Sequence, residues 1–225
     1  MSDAQIAANL AAVRERIARA EQASGRAPGS VRLVAVSKTF DADAVRAAYA
    51  AGQRVFGENY AQEISAKAEA FHSLDGIEVR FIGHAQSRKV KGLLEVVSAI
   101  DTVDDASLAL EIDKRARAAR RTVEAMIQVN VGREPQKSGC LPEQLPALIR
   151  AVRALSSLRL TGLMTVPPHT EDPEGARPYF RALRELANTE QLTELSMGMS
   201  HDLEVAVSEG ATSVRIGTAI FGARS

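Results

Sequence analysis

"RLVAVSKTFDADAVRAAYAAGQRVFGE", residues 32–58, contains the unit on which the whole chain is built. An apolar run (32–37) gives way to a polar turn, then to "DADAVRAAYAAG", whose apolar positions fall at helical spacing, and Gly52 precedes a second apolar run (54–58). Short apolar runs bounded by turn residues read as buried strands, and a helix between two of them makes a parallel βαβ unit.

The same alternation continues to the end of the chain. Further strand candidates are "EVRFIG" (78–83), "AIDTVD" (99–104), "EAMIQVNV" (124–131), "LRLTGLMTV" (158–166), "TELSMG" (193–198) and "SVRIGTAIF" (213–221), with helical patterns between them. A long leading helix carries Ile6, Leu10, Val13 and Ile17 on one face, with Ser2 or Asp3 as cap and Gly25 as stop. Eight strands and eight helices follow from this reading, the leading one included. Strict β/α alternation produces a parallel sheet, and eight units close a barrel. An open doubly wound sheet would need fewer units or two lobes, and no Pro/Gly/Ser-rich linker divides the chain. The expectation is one (β/α)8 TIM-like barrel domain over residues 1–225, preceded by an N-terminal helix.

Lys plus Arg equals Asp plus Glu at 28 each, so nothing steers the protein toward nucleic acid or anionic lipid. With 4% aromatics and no Trp, a base-stacking platform is also disfavoured. The one cysteine, Cys140, permits no intrachain disulfide and reads as an inert thiol in a reducing compartment. The N-terminus lacks an apolar signal core, and no apolar run approaches membrane-spanning length. A cytoplasmic protein is expected.

Active sites in such barrels form at the C-terminal strand ends. Those ends carry Ser37 and Lys38, then Glu58, Asn59 and Tyr60, then Gly83, His84 and Gln86, then Asn130, then Met164 and Thr165. The last two lead into "SMGMS" and "RIGT". Ser200 precedes the amphipathic "HDLEVAVSEG" and reads as its N-cap, with Gly198 allowing close backbone approach. Gly217 and Thr218 offer backbone N–H groups and a hydroxyl. Together these point to a phosphate in the loops after strands seven and eight, where such barrels commonly bind one.

Lys38 ends an apolar strand, where desolvation favours the neutral amine that forms Schiff bases with carbonyls. A phosphorylated carbonyl compound held by a lysine describes pyridoxal 5′-phosphate. It equally describes the phosphosugar substrate of a lysine aldolase, with Glu58 or His84 as acid/base. Arg215, on strand eight, requires an acceptor: a pyridine nitrogen or a strand-end carboxylate such as Glu58.

"LVAVSKT", "FGENYAQE", "GLMTV" and "LSMGMSHDLEVAVSEGATSVRIGTAIFG" resemble the pyridoxal phosphate homeostasis protein family over essentially the whole chain. Members of that family are similar to the N-terminal barrel of alanine racemase. The resemblance implies pyridoxal 5′-phosphate held as a Schiff base on Lys38, with Arg215 facing the pyridine nitrogen. It implies that Ser200, Gly217 and Thr218 hold the phosphate and that Asn59 and Met164 line the ring pocket. Where the family reads close to "WHFIGHLQSNK", this chain has "VRFIGHAQSRK" (79–89), with Arg80 for a histidine, Ala85 for a leucine and Arg88 for an asparagine. Lys137 in "EPQKSG" reads as a solvated loop lysine near the site.

An arginine partner can only donate, so it leaves the ring nitrogen unprotonated and a weak electron sink. Alanine racemases also take a second base, a tyrosine, from a further domain, whereas this chain ends four residues after Phe221. Tyr49 and Tyr179 fall in helices, and Tyr60 is expected to pack or cap. The expected function is therefore buffering or delivery of the cofactor, to partners such as pyridoxal-phosphate-dependent apo-enzymes, by a non-catalytic monomer without metal. The alternative is a low-activity fold type III amino-acid racemase.

Overall fold

The computed structural model describes residues 1–223. Within them, eight strands close into a parallel barrel in chain order, β1 hydrogen-bonding to β8. These are β1 (Arg32–Val36), β2 (Val55–Glu58), β3 (Glu78–Phe81), β4 (Ala99–Val103), β5 (Val123–Gln128), β6 (Leu158–Met164), β7 (Glu194–Ser196) and β8 (Ser213–Ile216). The helices are α1 (Asp3–Ala23), α2 (Ala42–Ala50), α3 (Ala61–Ser73), α4 (Val90–Leu93), α5 (Ala106–Ala118), α6 (Leu145–Arg153), α7 (Arg177–Thr189), α8 (Leu203–Ser208) and α9 (Thr218–Phe221).

Sequence periodicity and element type agree except at Thr218–Phe221, which make a ninth helix among the described residues where eight were expected, and the other differences lie at element ends. The expected strand over 213–221 stops at Ile216, and Thr218–Phe221 instead turn helical. An apolar run bounded by glycine fits a buried strand or a buried helical turn equally well, so its period could not decide. α8 is shorter than its pattern, and its N-cap is Asp202, not Ser200. At the N-terminus Ser2 is the cap of α1, accepting from the Gln5 N–H, and Ile6, Leu10, Val13 and Ile17 are buried.

The barrel has two interiors. Leu33, Ala35, Phe56, Phe81, Ile100, Ala125, Ile127 and Val214 join the helices in an apolar shell outside the sheet. The alternate residues Val34, Val36, Met126 and Met164 face the lumen.

The lumen is not wholly apolar. Arg80, 1% exposed, makes three hydrogen bonds of 2.8–3.1 Å to Asp101, which is fully buried. Its other terminal nitrogen donates to Glu78 and Glu124 at the strands' N-terminal ends. Arg80 is thus a floor group locked among three carboxylates. It has no part in recognition at the rim, where the substituted segment had raised that question.

Candidate functional site

Lys38 follows β1 in a half-buried turn, and continuing the alternation of Val34 and Val36 assigns it to the lumen side. Its neighbours are held firmly. The Ser37 N–H donates to the Gly57 carbonyl at 3.1 Å, and the Ser37 hydroxyl to Glu58 Oε1 at 2.7 Å. The Thr39 N–H donates to Glu63 Oε2 at 2.7 Å, and Thr39 adopts φ 69°.

Arg215 sits under the mouth on β8, 5% exposed. Its guanidinium donates to Ser196 Oγ at 2.8 Å and to the Thr165 carbonyl at 2.7 Å. Burial pulls its pKa down to about 10, against the longer-range pull of Asp101 and Asp202. The expected alternative partner, Glu58, is engaged elsewhere. It points away from the lumen and pairs at 2.6 Å with Lys67 Nζ of α3. The carboxylate nearest in the lumen, Asp101, is occupied by Arg80, which leaves Arg215 with neutral acceptors.

Met164 ends β6, buried, beside the Thr165 carbonyl that Arg215 uses. Asn59 follows β2, and its Oδ1 is buried without a hydrogen-bond partner. The loop holding it runs against β3 so closely that a Cβ on Gly83 would come within 2.0 Å of the Asn59 carbonyl. A cavity of about 240 Å³ opens beside this loop, lined by Asn59, Tyr60, His84, Gln86 and Lys89 among others. Tyr60 caps α3 through its backbone, its carbonyl accepting from the Ile64 N–H at 3.1 Å, while its side chain is exposed and makes no cap bond.

In the loops after β7 and β8, on the other side of β1, Ser200 and Thr218 come together, their hydroxyls 3.5 Å apart, with Gly217 next to Thr218. Ser200 lies in a turn ahead of α8, and α1 braces it: Arg16 donates to the Ser200 carbonyl at 3.1 Å and pairs with Glu204. Gly198 has φ 94°, and a Cβ there would meet Ala206 at 2.5 Å, so helix packing is what requires this glycine.

The other polar strand-end residues serve their own loops. Asn130 donates to Glu134 O at 2.8 Å and accepts from the Glu134 N–H, closing the loop after β5. Lys137 is tethered while still partly exposed: Nζ donates to the Pro167 carbonyl at 2.8 Å and pairs with Glu134. His84 faces both Ser138 Oγ at 3.2 Å and Asp104 Oδ2 at 3.9 Å through the same Nδ1, so no Ser–His–Asp relay exists there. Burial pushes the Cys140 thiol up to about 12, as an inert thiol requires.

The site therefore has an amine, a donor-only guanidinium beneath it and a pair of hydroxyls after the neighbouring strands β7 and β8. The family model described as "Alanine racemase, N-terminal domain" matches residues 8–225. The chain is 46% identical to the pyridoxal phosphate homeostasis protein of Aquifex aeolicus, covering 96% of each chain. It is 48% identical to that of Pseudomonas aeruginosa, covering 97% of this chain and 96% of the relative. The solved structure of PipY from Synechococcus elongatus with PLP bound superposes with a TM-score of 0.84 at 37% identity, over 96% of this chain and all of that one.

The chain belongs to the pyridoxal phosphate homeostasis protein family.

Within that family frame, three residues that sequence reasoning passed over carry much of the site's structure. Lys67 occupies a buried position between Ile64 and Phe71 on the inner face of α3, and a lysine on an apolar stripe was its readable signal. Asp101 sits among apolar neighbours on β4, and Ser196 on β7 holds Arg215. Arg88, by contrast, stays on the surface with Gln86. Among the described residues, no cluster of three or more His, Cys, Asp or Glu side chains could hold a metal, and no helix is long and apolar enough to cross a membrane.

Proposed function

We propose that this protein binds pyridoxal 5′-phosphate as a Schiff base on Lys38 and acts in the cell as a buffer and donor of that cofactor. The observation that carries the reading is Arg215, a buried guanidinium whose two hydrogen bonds go to one hydroxyl and one carbonyl and neither to a carboxylate. Such a group accepts one more neutral acceptor readily, and a pyridine nitrogen is one. The residues present fit the cofactor. Asn59 Oδ1 is a buried acceptor awaiting a donor, which the ring hydroxyl would supply, and Ser200 with Thr218 offers two hydroxyls for a phosphate.

The cofactor supplies an aldehyde and a conjugated ring that can hold electrons. Lys38 would provide the amine, Met164 and Asn59 would flank the ring, and Ser200, Gly217 and Thr218 would hold the phosphate. Arg215, which can only donate, would face the ring nitrogen and leave it unprotonated, and the ring would then be a weak support for a carbanion. Delivery, not turnover, then follows, with pyridoxal-phosphate-dependent apo-enzymes as recipients. A racemase would need a second base, and among the tyrosines Tyr60 alone stands exposed near the mouth, whereas Tyr49 is bonded to the Asp75 carbonyl outside the barrel.

The test is reductive trapping of the reconstituted protein with borohydride, followed by peptide mapping, beside Lys38→Ala. A pyridoxyl label on Lys38 that the variant lacks supports the reading, and a wild-type protein that takes up no cofactor overturns it. Mixing loaded protein with a cofactor-free transaminase should then restore transaminase activity. Racemisation of alanine that Tyr60→Phe abolishes would replace delivery with catalysis.

A further inference from the structure

A buried ion pair lies behind the strand that ends at Lys38, outside the lumen and away from any ligand. Lys67 Nζ is 2.6 Å from Glu58 Oε1, the side chains being 5% and 0% exposed. Apolar Phe56, Ile64 and Phe71 are buried in the same sheet–helix layer. Replacing such a pair with apolar groups is often neutral or stabilising, so stability does not explain its presence. One Glu58 oxygen, Oε2, is buried with no partner at all, a further cost. Burial raises the Glu58 pKa against the opposing pull of Lys67 and Ser37.

The cluster does grip the backbone on both sides of Lys38. Lys67 Nζ donates to the Ser37 carbonyl at 2.7 Å, and Ser37 Oγ donates to the same Glu58 oxygen that Lys67 uses. Lys67 also lies 3.6 Å from Glu63 Oε2, which accepts the Thr39 N–H. Thr39 needs this grip, because φ 69° is a left-handed conformation that β-branched residues avoid. Without partners on each side, the Ser37–Thr39 turn would relax and carry the lysine with it.

We propose that Glu58, Lys67 and Glu63 form a positioning device for the Lys38 amine, holding its turn in a strained conformation from behind the barrel wall. The inference rests on the reading of Lys38 as the attachment amine. All three residues belong to the sheet–helix layer outside the lumen, Glu58 at the end of β2 and the other two on α3. A displacement of about 1 Å at a reacting group costs up to ~100-fold in rate, which is the scale on which such a device acts.

The experiment labels Lys38 with propionaldehyde and cyanoborohydride and follows each lysine by mass spectrometry, with exposed Lys91 and Lys114 as internal standards. Melting temperatures are measured alongside. Glu58→Gln combined with Lys67→Met strands no charge, so it is expected to melt near wild type. Its Lys38 should nonetheless be labelled at a rate changed severalfold, because a relaxed turn alters the exposure of the half-buried amine, with Lys91 and Lys114 unchanged. Glu63→Ala, at a side chain 27% exposed and therefore tolerant of change, is expected to shift the Lys38 labelling rate in the same direction as the double variant. Wild-type labelling of Lys38 in either folded variant overturns the proposal. A plain aldehyde needs only the amine, so this outcome is read whether or not the wild type takes up pyridoxal 5′-phosphate, and a separate cofactor titration of the wild type reports on that reading alone.

Discussion

Arg80 and Arg215 are two buried guanidiniums in one barrel lumen with opposite electrostatic situations. Burial disfavours the charge of Arg80, yet Asp101 and Glu78 overcome it and raise its pKa. Arg215 has neutral partners, and burial prevails. Asp101 contributes to both, so the Arg80–Asp101 bond pattern decides how much negative charge remains for Arg215. Arg80→Met leaves Asp101 buried without its partner and is expected to cost about 3–5 kcal/mol. Adding Asp101→Asn to that variant should recover most of the loss, because the stranded charge is then gone. Urea unfolding of the single and double variants checks this, and an undiminished midpoint for Arg80→Met would refute it. A second residue-scale expectation concerns Cys140, whose buried thiol with a pKa near 12 should react with an aromatic disulfide reagent only after unfolding. Labelling of the native protein at neutral pH would contradict that.

Elements place the site through close approaches at their ends. The β2–α3 loop lies on β3 because Gly83 has no side chain, and the β7–α8 turn lies on α8 because Gly198 has none. Gly198→Ala combines φ 94° with a 2.5 Å collision against Ala206, and it should cost about 1–3 kcal/mol in thermal or urea unfolding. Gly83→Ala meets backbone, which cannot rotate away, so the Asn59 loop itself must move. Its expected signature is weaker cofactor uptake out of proportion to its loss of stability, measured by titration beside urea unfolding. α1 works at this scale too. It lies outside the β/α repeat, but Asn9 reaches the Ile220 carbonyl at 2.8 Å and Arg16 the Ser200 carbonyl, so one helix braces both hydroxyl-bearing turns.

Over the whole molecule, charge is balanced but not evenly coupled. Glu209 is ringed by Arg177, Arg181 and Arg184, and Glu204 pairs with Arg16. Burial opposes ionisation of both carboxyls, but the arginines win and hold them below the ordinary value of 4.5. Their contribution to stability is therefore present above that value and lost as pH falls through their folded-state range. Glu58 has the opposite sign: raised by burial, it favours the folded state most at low pH and gives that up as pH rises above 4.5. Urea midpoints against pH should show a shallower acid limb for Glu209→Gln, whereas Glu58→Gln should flatten the decline just above 4.5. Equal slopes in all three proteins would remove these groups from the account. Among the described residues the exposed large apolar side chains are Met1, Tyr60, Leu110 and Met199, too few for an obligate interface, and sedimentation is expected to give the mass of one chain.

The β/α alternation from Arg32 to Ile216 was legible because strand and helix impose different periods on local sequence, and eight repeats admit few architectures. That Lys38, Arg215, Ser200 and Thr218 gather toward one end of the barrel was legible for a related reason: in a parallel barrel every strand end lands on one face, so order along the chain becomes position in space. Pairings between elements were not legible. Glu58 could face the lumen or the helices, and a strand of four residues gives no local reason to choose; Lys67 arriving from α3 decided it. Arg215 could have met a carboxylate, and only closure of the lumen, with Asp101 already taken by Arg80, left it neutral partners. The cap of α8 moved from Ser200 to Asp202 because packing against Gly198 sets where that helix can begin. Local sequence carries local periodicity, whereas the partner of a buried charge is chosen by geometry that exists only once the barrel is closed.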